Sequence, residues 1–234
     1  MSYKFLLFDL DRTLLDFDTA EDKALDQLFG QEGVADIQAF KSYYIPLNEQ
    51  LWKAHEREEI SKDTLVKTRF SRTFAHFGLE RNGEDLAKRY QELLSQQGQV
   101  FPGAITLLET LRKGGYELYA ITNGITAIQK GRLTVSSLAP YFKKVFISEQ
   151  MGTQKPSRTF FDLVARAIPG YDATQALVIG DSLTSDIQGA VNAGLTCLWY
   201  NPKGLALDKD DPQPTAVVKD FDDVLTFLSA RKDK

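Results

Sequence analysis

Cysteine is almost absent from these 234 residues: Cys197 stands alone. No disulfide can form within the chain, and a reducing compartment suits it. Histidine is nearly as scarce. His55 and His76 fall in helical tracts at no ligand spacing, so a histidine-rich metal site is not expected. Positive charge shows no excess, since 28 Lys and Arg face 32 Asp and Glu for a net charge of −4. A surface that releases counterions from nucleic acid needs the opposite sign, so no nucleic-acid partner is expected. No run approaches the roughly 18 apolar residues of a membrane span. The first apolar stretch, Phe5 to Phe8, is broken by Asp9 and is too short for the core of a signal peptide. These absences lead us to expect a cytoplasmic chain without a membrane partner. Proline is sparse as well: Pro46 is the only one between Thr19 and Gln97, which leaves that stretch open to long helices.

What the chain does contain is 43% hydrophobic residues, enough for a substantial core, in a length that suits one large domain or two small ones. Tyr3 to Leu10 has the pattern of a buried strand. From Thr19 to Gln97 the spacing is helical. Ala24, Leu25, Leu28 and Phe29 form one apolar stripe, and Val66, Phe70, Phe74 and Phe77 another. Beyond Phe101 short apolar runs (YELYAIT, KKVFIS, ALVIGD, TCLWYN and TAVVKD) alternate with helical patterns. Alternation of this kind predicts βαβ units and a parallel sheet covered by helices on both faces. The expected class is therefore α/β, with a Rossmann-like parallel core. Some 100 residues separate the first strand from the next, whereas a crossover needs only about a dozen. We therefore expect an inserted all-helical domain over 17–97 and an α/β core formed by 1–16 and 98–234.

The stretch FLLFDLDRTLLDFD, Phe5 to Asp18, sets four aspartates just beyond an apolar strand. In parallel sheets ligands sit beyond the carboxyl ends of the strands. The strand ends collect Asp9, Asp11 and Thr13; Thr122, Asn123 and Gly124; Lys155; and Asp181 with Asp186. Carboxylates crowded on one rim repel each other and raise one another's pKa. A hard divalent cation such as Mg²⁺ relieves this, prefers oxygen ligands and commonly bridges carboxylates to a phosphate. Lys155 adds a compact positive charge suited to phosphate. These parts point to phosphoryl transfer: an acidic metal site facing a cationic phosphate clamp. Asp16 and Asp18 are explained as well by helix capping or a hinge as by catalysis, and Cys197 is expected to be inert core.

DLDRT, ITNG, Lys155 before Pro156, and GDSLTSD resemble, in order, the four motifs of the haloacid dehalogenase superfamily. The resemblance covers essentially the whole chain, and the helical insertion falls where that family carries a cap. It implies Asp9 as the nucleophile that becomes an aspartyl-phosphate, and Asp11 as general acid and then base. It implies Mg²⁺ held by Asp9, by Asp11 through its backbone carbonyl, and by Asp181. Thr122 and the Asn123 backbone would hold the phosphate, and Lys155 would balance the charge. Thr13 and Asp186 would support the site. Arg12 departs from the glycine frequent at its position and receives no catalytic role.

Asp11 disfavours the dehalogenases of the family, which generally lack that second aspartate because a halide needs no proton. The segments LDFD, NEQLW, TRF, ITNG and SEQMGTQKP look like the pyrimidine 5′-nucleotidase branch. The resemblance thus implies nucleoside monophosphates as substrates. Phe17, Trp52 and Arg69 are candidates for a substrate pocket in the cap. Other readings stay open: a sugar-phosphate or phosphoglycolate phosphatase, a phosphomutase, or a silent module that binds phosphate or Mg²⁺.

Overall fold

The structure is a computed structural model describing residues 3–231. The chain divides into two compact units. One comprises the residues up to Asp16, Gln99–Thr126 and the chain from Ser136 onward; the other comprises Phe17–Gly98 with Ala127–Val135.

The first unit is built on a parallel six-stranded sheet in the order β3-β2-β1-β4-β5-β6. Its strands are β1 (Phe5–Phe8), β2 (Glu117–Thr122), β3 (Lys144–Ile147), β4 (Ala176–Gly180), β5 (Thr196–Tyr200) and β6 (Ala216–Val218). All six apolar runs read as strands from the sequence are strands. The central strand β1 pairs Phe5 with Glu117 on one side and with Ala176 on the other. Side chains alternate across a pleated sheet. Phe5, Leu7, Tyr119, Ile121, Ala176, Val178, Cys197 and Trp199 accordingly share one buried cluster with Phe160, Phe161 and Val164 of helix α8 (Arg158–Arg166). Leu6, Phe8, Leu118, Ala120, Leu177 and Leu198 alternate with them and are just as buried. Burial on both faces is what a parallel sheet requires. Cys197 is a buried thiol, 1% exposed. The segments leading out of and back into this unit run antiparallel: Leu15 bridges Val100, and Asp16 N–H donates to Gln99 C=O at 3.0 Å.

The second unit contains α1 (Phe17–Gln31), α2 (Ile37–Glu56), α3 (Lys62–His76) and α4 (Gly83–Ser95). Asp36, Ser61 and Asn82 cap the last three by accepting backbone N–H groups, which satisfies donors that a helix start leaves open. The two stripes seen in the sequence meet. Phe29 lies edge-on to Phe40, Phe70 and Phe74, with ring centroids 5.4, 6.5 and 6.0 Å away, the geometry aromatic pairs prefer. Helix α2 runs through Pro46 without ending. His76 stacks on Tyr43 at 3.8 Å and His55 Nδ1 lies 3.0 Å from the Ile60 carbonyl, so both histidines pack locally.

The sequence pattern placed 127–135 with the α/β elements, whereas contacts place it with the helical unit. Helix α5 (Ala104–Lys113) precedes β2, and the reason lies in the helix after that strand, α6 (Thr126–Val135). A Cβ on Gly131 would stand 2.5 Å from the Ser95 carbonyl oxygen, so only glycine permits that approach. Arg132 Nε donates to Gln97 C=O at 3.2 Å, and its guanidinium lies 5.5 Å from the Phe17 ring.

Candidate active site

The carboxyl ends of β1, β2 and β4 bring the candidate residues together within the α/β unit. Asp9 directly follows β1, and its N–H extends the ladder to Ile179 C=O at 2.8 Å. Its carboxylate accepts Lys155 Nζ on Oδ1 at 2.6 Å and the Thr13 hydroxyl on Oδ2 at 3.2 Å. Lys155 comes from the turn that precedes α8, and the peptide to Pro156 is cis. Its ammonium also donates to Asp186 Oδ1 at 2.6 Å and to Ile121 C=O at 3.2 Å. All three of its protons have acceptors, and the side chain is buried.

Asp186 sits on a single π-helical turn, Leu183–Ile187, which runs into α9 (Gln188–Ala193). Ser182 caps this turn: its Oγ accepts Ser185 N–H at 3.2 Å, while its own N–H donates to Asp186 Oδ2 at 3.1 Å. Gly180 makes room for that carboxylate, since a Cβ there would lie 2.3 Å from Asp186 Oδ2. Asp181 is steadied through its backbone, whose C=O accepts Trp199 Nε1–H at 2.7 Å. Thr122 Oγ1 accepts Gly124 N–H at 3.1 Å. Arg12 adopts a left-handed φ of +63°, strained for any side chain but glycine.

The electrostatics follow from burial and crowding. Burial pushes the Asp9 carboxyl up; Lys155 pulls it back, while Asp186 and Asp181 add to the rise. Burial, with Asp186 beside it, pushes Asp181 up to about 7, against a pull from Arg12 and Lys155. Burial alone would lower the Lys155 ammonium, but Asp186 and Asp9 outweigh it and hold it above its ordinary value. Ligand oxygens of Asp9, Asp181 and Asp186 all lie within 4.8 Å of one another. An oxygen-only donor set of three crowded carboxyl groups fits a hard divalent cation. Asp11 is half-buried on the same loop, where it bridges Leu15.

Asp9, Thr13, Lys155, Asp181 and Asp186 thus converge as the sequence predicted. Phe17, Trp52 and Arg69 occupy separate places in the helical unit. Phe17 lies beneath Arg132. Trp52 packs against Leu47, Leu51 and Leu65. Arg69 is buried over the rings of Phe70 and Tyr90, and its Nη1 donates to Asn48 Oδ1 at 3.1 Å. Asn48 in turn donates to Glu21 at 3.0 Å. Sequence reasoning did not find Gly180, Ser182, Trp199 or Asn192 as supports. Gly180 and Ser182 flank Asp181 and could have been found from that adjacency; Trp199 and Asn192 carry no local signal.

Residues 6–200 match the haloacid dehalogenase-like hydrolases. The chain is 57% identical over 228 residues to the pyrimidine 5′-nucleotidase PynA of Streptococcus pneumoniae, covering 97% of this chain and 96% of that protein. It is 30% identical over 212 residues to the pyrimidine 5′-nucleotidase YjjG of Escherichia coli, covering 88% and 92% respectively. The HAD-hydrolase YfnB of Bacillus subtilis, solved bound to magnesium, superposes with a TM-score of 0.93 at 37% identity, over 97% of this chain and 99% of that one. The chain belongs to the haloacid dehalogenase-like hydrolase family.

Proposed function

We propose that the chain is a Mg²⁺-dependent phosphomonoester hydrolase that works through a phosphorylated Asp9 and acts on pyrimidine nucleoside 5′-monophosphates. The observation that carries the hydrolase reading is the buried ammonium of Lys155 held 2.6 Å from both Asp9 and Asp186, beside the cluster that includes Asp181. Near-full-length likeness to PynA supports the nucleotide class. The magnesium of YfnB and the all-oxygen donor set here support the cation. Asp9, Asp181 and the Asp11 backbone carbonyl would hold it. When bound, Mg²⁺ offsets the repulsion between a dianionic phosphate and the Asp9 carboxylate.

The protein's own groups do the rest. Lys155 opposes the upward push that burial exerts on the Asp9 carboxyl and adds positive charge beside the incoming phosphate. The Thr122 hydroxyl and the Asn123 backbone N–H bind phosphate oxygens. The Asp9 carboxylate attacks phosphorus as the ester P–O bond breaks, and Asp11 gives its proton to the departing nucleoside oxygen. Asp11, now ionised, takes a proton from water. The hydroxide so formed attacks phosphorus and breaks the bond to Asp9, which releases inorganic phosphate and restores the carboxylate. Thr13 and Asp186 hold Asp9 and Lys155 in place for both halves.

The test is inorganic phosphate release, with Mg²⁺, from UMP, dUMP and CMP against ribose 5-phosphate, glucose 6-phosphate and phosphoglycolate. The expected result is a higher kcat/KM on the nucleotides. A preference for the sugar phosphates or phosphoglycolate removes the nucleotide assignment. No release from any of them, or from an aryl phosphate, removes the hydrolase assignment as well.

A further inference from the structure

Lys155 must hold its ammonium within hydrogen-bond range of two carboxylates, yet it belongs to neither a helix nor a strand. It sits in a turn between α7 (Ser148–Met151) and α8. Something other than regular structure has to fix its backbone, and two side-chain amides do so. The Asn123 carboxamide grips Lys155 at both ends: its Oδ1 accepts Lys155 N–H at 2.9 Å and its Nδ2 donates to Lys155 C=O at 2.8 Å. One side chain thereby makes the two bonds that a neighbouring strand would make. On the next residue, Asn192 Nδ2 donates to Pro156 C=O at 3.0 Å. Asn192 is itself oriented by Gln188 Nε2, which donates to its Oδ1 at 2.7 Å. Gly189 lets α9 come this close, because a Cβ there would stand 2.5 Å from the Phe161 ring and 3.2 Å from Pro156 Cα.

We propose that the Asn123 side chain, seconded by Asn192, is a positioning device for Lys155, clasping the Lys155–Pro156 backbone so that the ammonium stays on Asp9 and Asp186. Asn123 then has two separable tasks: its backbone N–H faces the phosphate, and its carboxamide serves the lysine. The clasp ties the end of β2 and the C-terminal end of α9 to one turn, so the ends of three segments are held in register by amide groups. The inference rests on Lys155 working in hydrolysis as proposed above.

The experiment is a double-mutant cycle on aryl phosphate hydrolysis by the full chain with Mg²⁺. A misplacement of about 1 Å can cost about 10²-fold in rate. Asn123→Ala is therefore expected to lower kcat about 10- to 100-fold, with KM changed less than about threefold. In a Lys155→Ala background the same change is expected to cost less than about threefold, because there is no ammonium left to position. Equal losses in both backgrounds overturn the proposal, and so does a raised KM with unchanged kcat. Asn192→Ala provides the same cycle at an exposed position should Asn123→Ala fold poorly, with a smaller loss that likewise vanishes without Lys155. Should the wild-type chain hydrolyse nothing, the hydrolase reading has failed. The clasp is then judged by a crystal structure of either variant, in which a Lys155 Nζ still on Asp9 and Asp186 refutes it.

Discussion

Replacing Lys155 with methionine keeps the length of the side chain and removes its charge. Nζ stands 2.6 Å from Asp9 Oδ1 and 2.6 Å from Asp186 Oδ1, with all three side chains almost wholly buried. At an effective dielectric of about 20, each such contact is worth about 6 kcal/mol before desolvation. Removing several kcal/mol of desolvation per buried ion leaves a much smaller net term. Breaking one partner of a buried pair costs about 3–5 kcal/mol, since the other charge is left uncompensated. Here two carboxylates are orphaned at once. The loss should depend on pH, because a proton can replace the ammonium where carboxyls are readily protonated. For Lys155→Met without metal we expect a stability loss of about 3–5 kcal/mol at pH 8 and a clearly smaller one at pH 5. Urea unfolding of wild type and variant at the two pH values measures both. A loss under about 1 kcal/mol at pH 8, or a larger loss at pH 5, would refute the view that Lys155 is the counter-charge of this cluster.

Two further outcomes follow from the same geometry. Gly180→Ala drives a methyl group into Asp186 Oδ2, 2.3 Å from where its Cβ would sit. It should lower kcat at least about tenfold by shifting the carboxylate that orients Lys155, and an unaltered kcat would show that Asp186 needs no fixed place. Asp181 has its carboxyl pushed up to about 7 by burial and by Asp186, so the metal-free folded state keeps a proton that the unfolded state loses near pH 4. Its contribution is thus fully present below about pH 4 and lost as pH rises to about 7, at up to about 1.4 kcal/mol per pH unit. Mg²⁺ competes with that proton. The gain in urea midpoint on adding Mg²⁺ should be larger at pH 8 than at pH 5, and the reverse order would contradict the assignment.

The sheet was legible because its strands are short apolar runs ended by polar residues, and a parallel sheet turns each such end towards one rim. That rule alone brought Asp9, Lys155, Asp181 and Asp186 together from three distant segments, and the spacing of Phe70 and Phe74 showed a buried helix face. Other features depend on distance rather than pattern. Gly131 and Arg132 tie α6 to the helical unit through partners some 35 residues earlier in the chain, Ser95 and Gln97. Nothing in the helix's own sequence shows this. The turn that carries Asp186 reads as an ordinary helix start, yet it winds one residue wide as a π-turn. Asn192 looks like a solvated helix residue until its bond to Pro156 is seen. Trp52 and Arg69 could be singled out by type, but only packing reveals that one joins an apolar cluster and the other a buried polar chain.

The most direct measurement is rapid chemical quench of the chain turning over a ³²P-labelled nucleoside monophosphate, followed by mapping of the labelled peptide. The expected result is acid-stable label on Asp9 in the wild type, with neither label nor phosphate release in Asp9→Asn. Label on another residue, or undiminished phosphate release by Asp9→Asn, would contradict the role of Asp9 on which the mechanism stands.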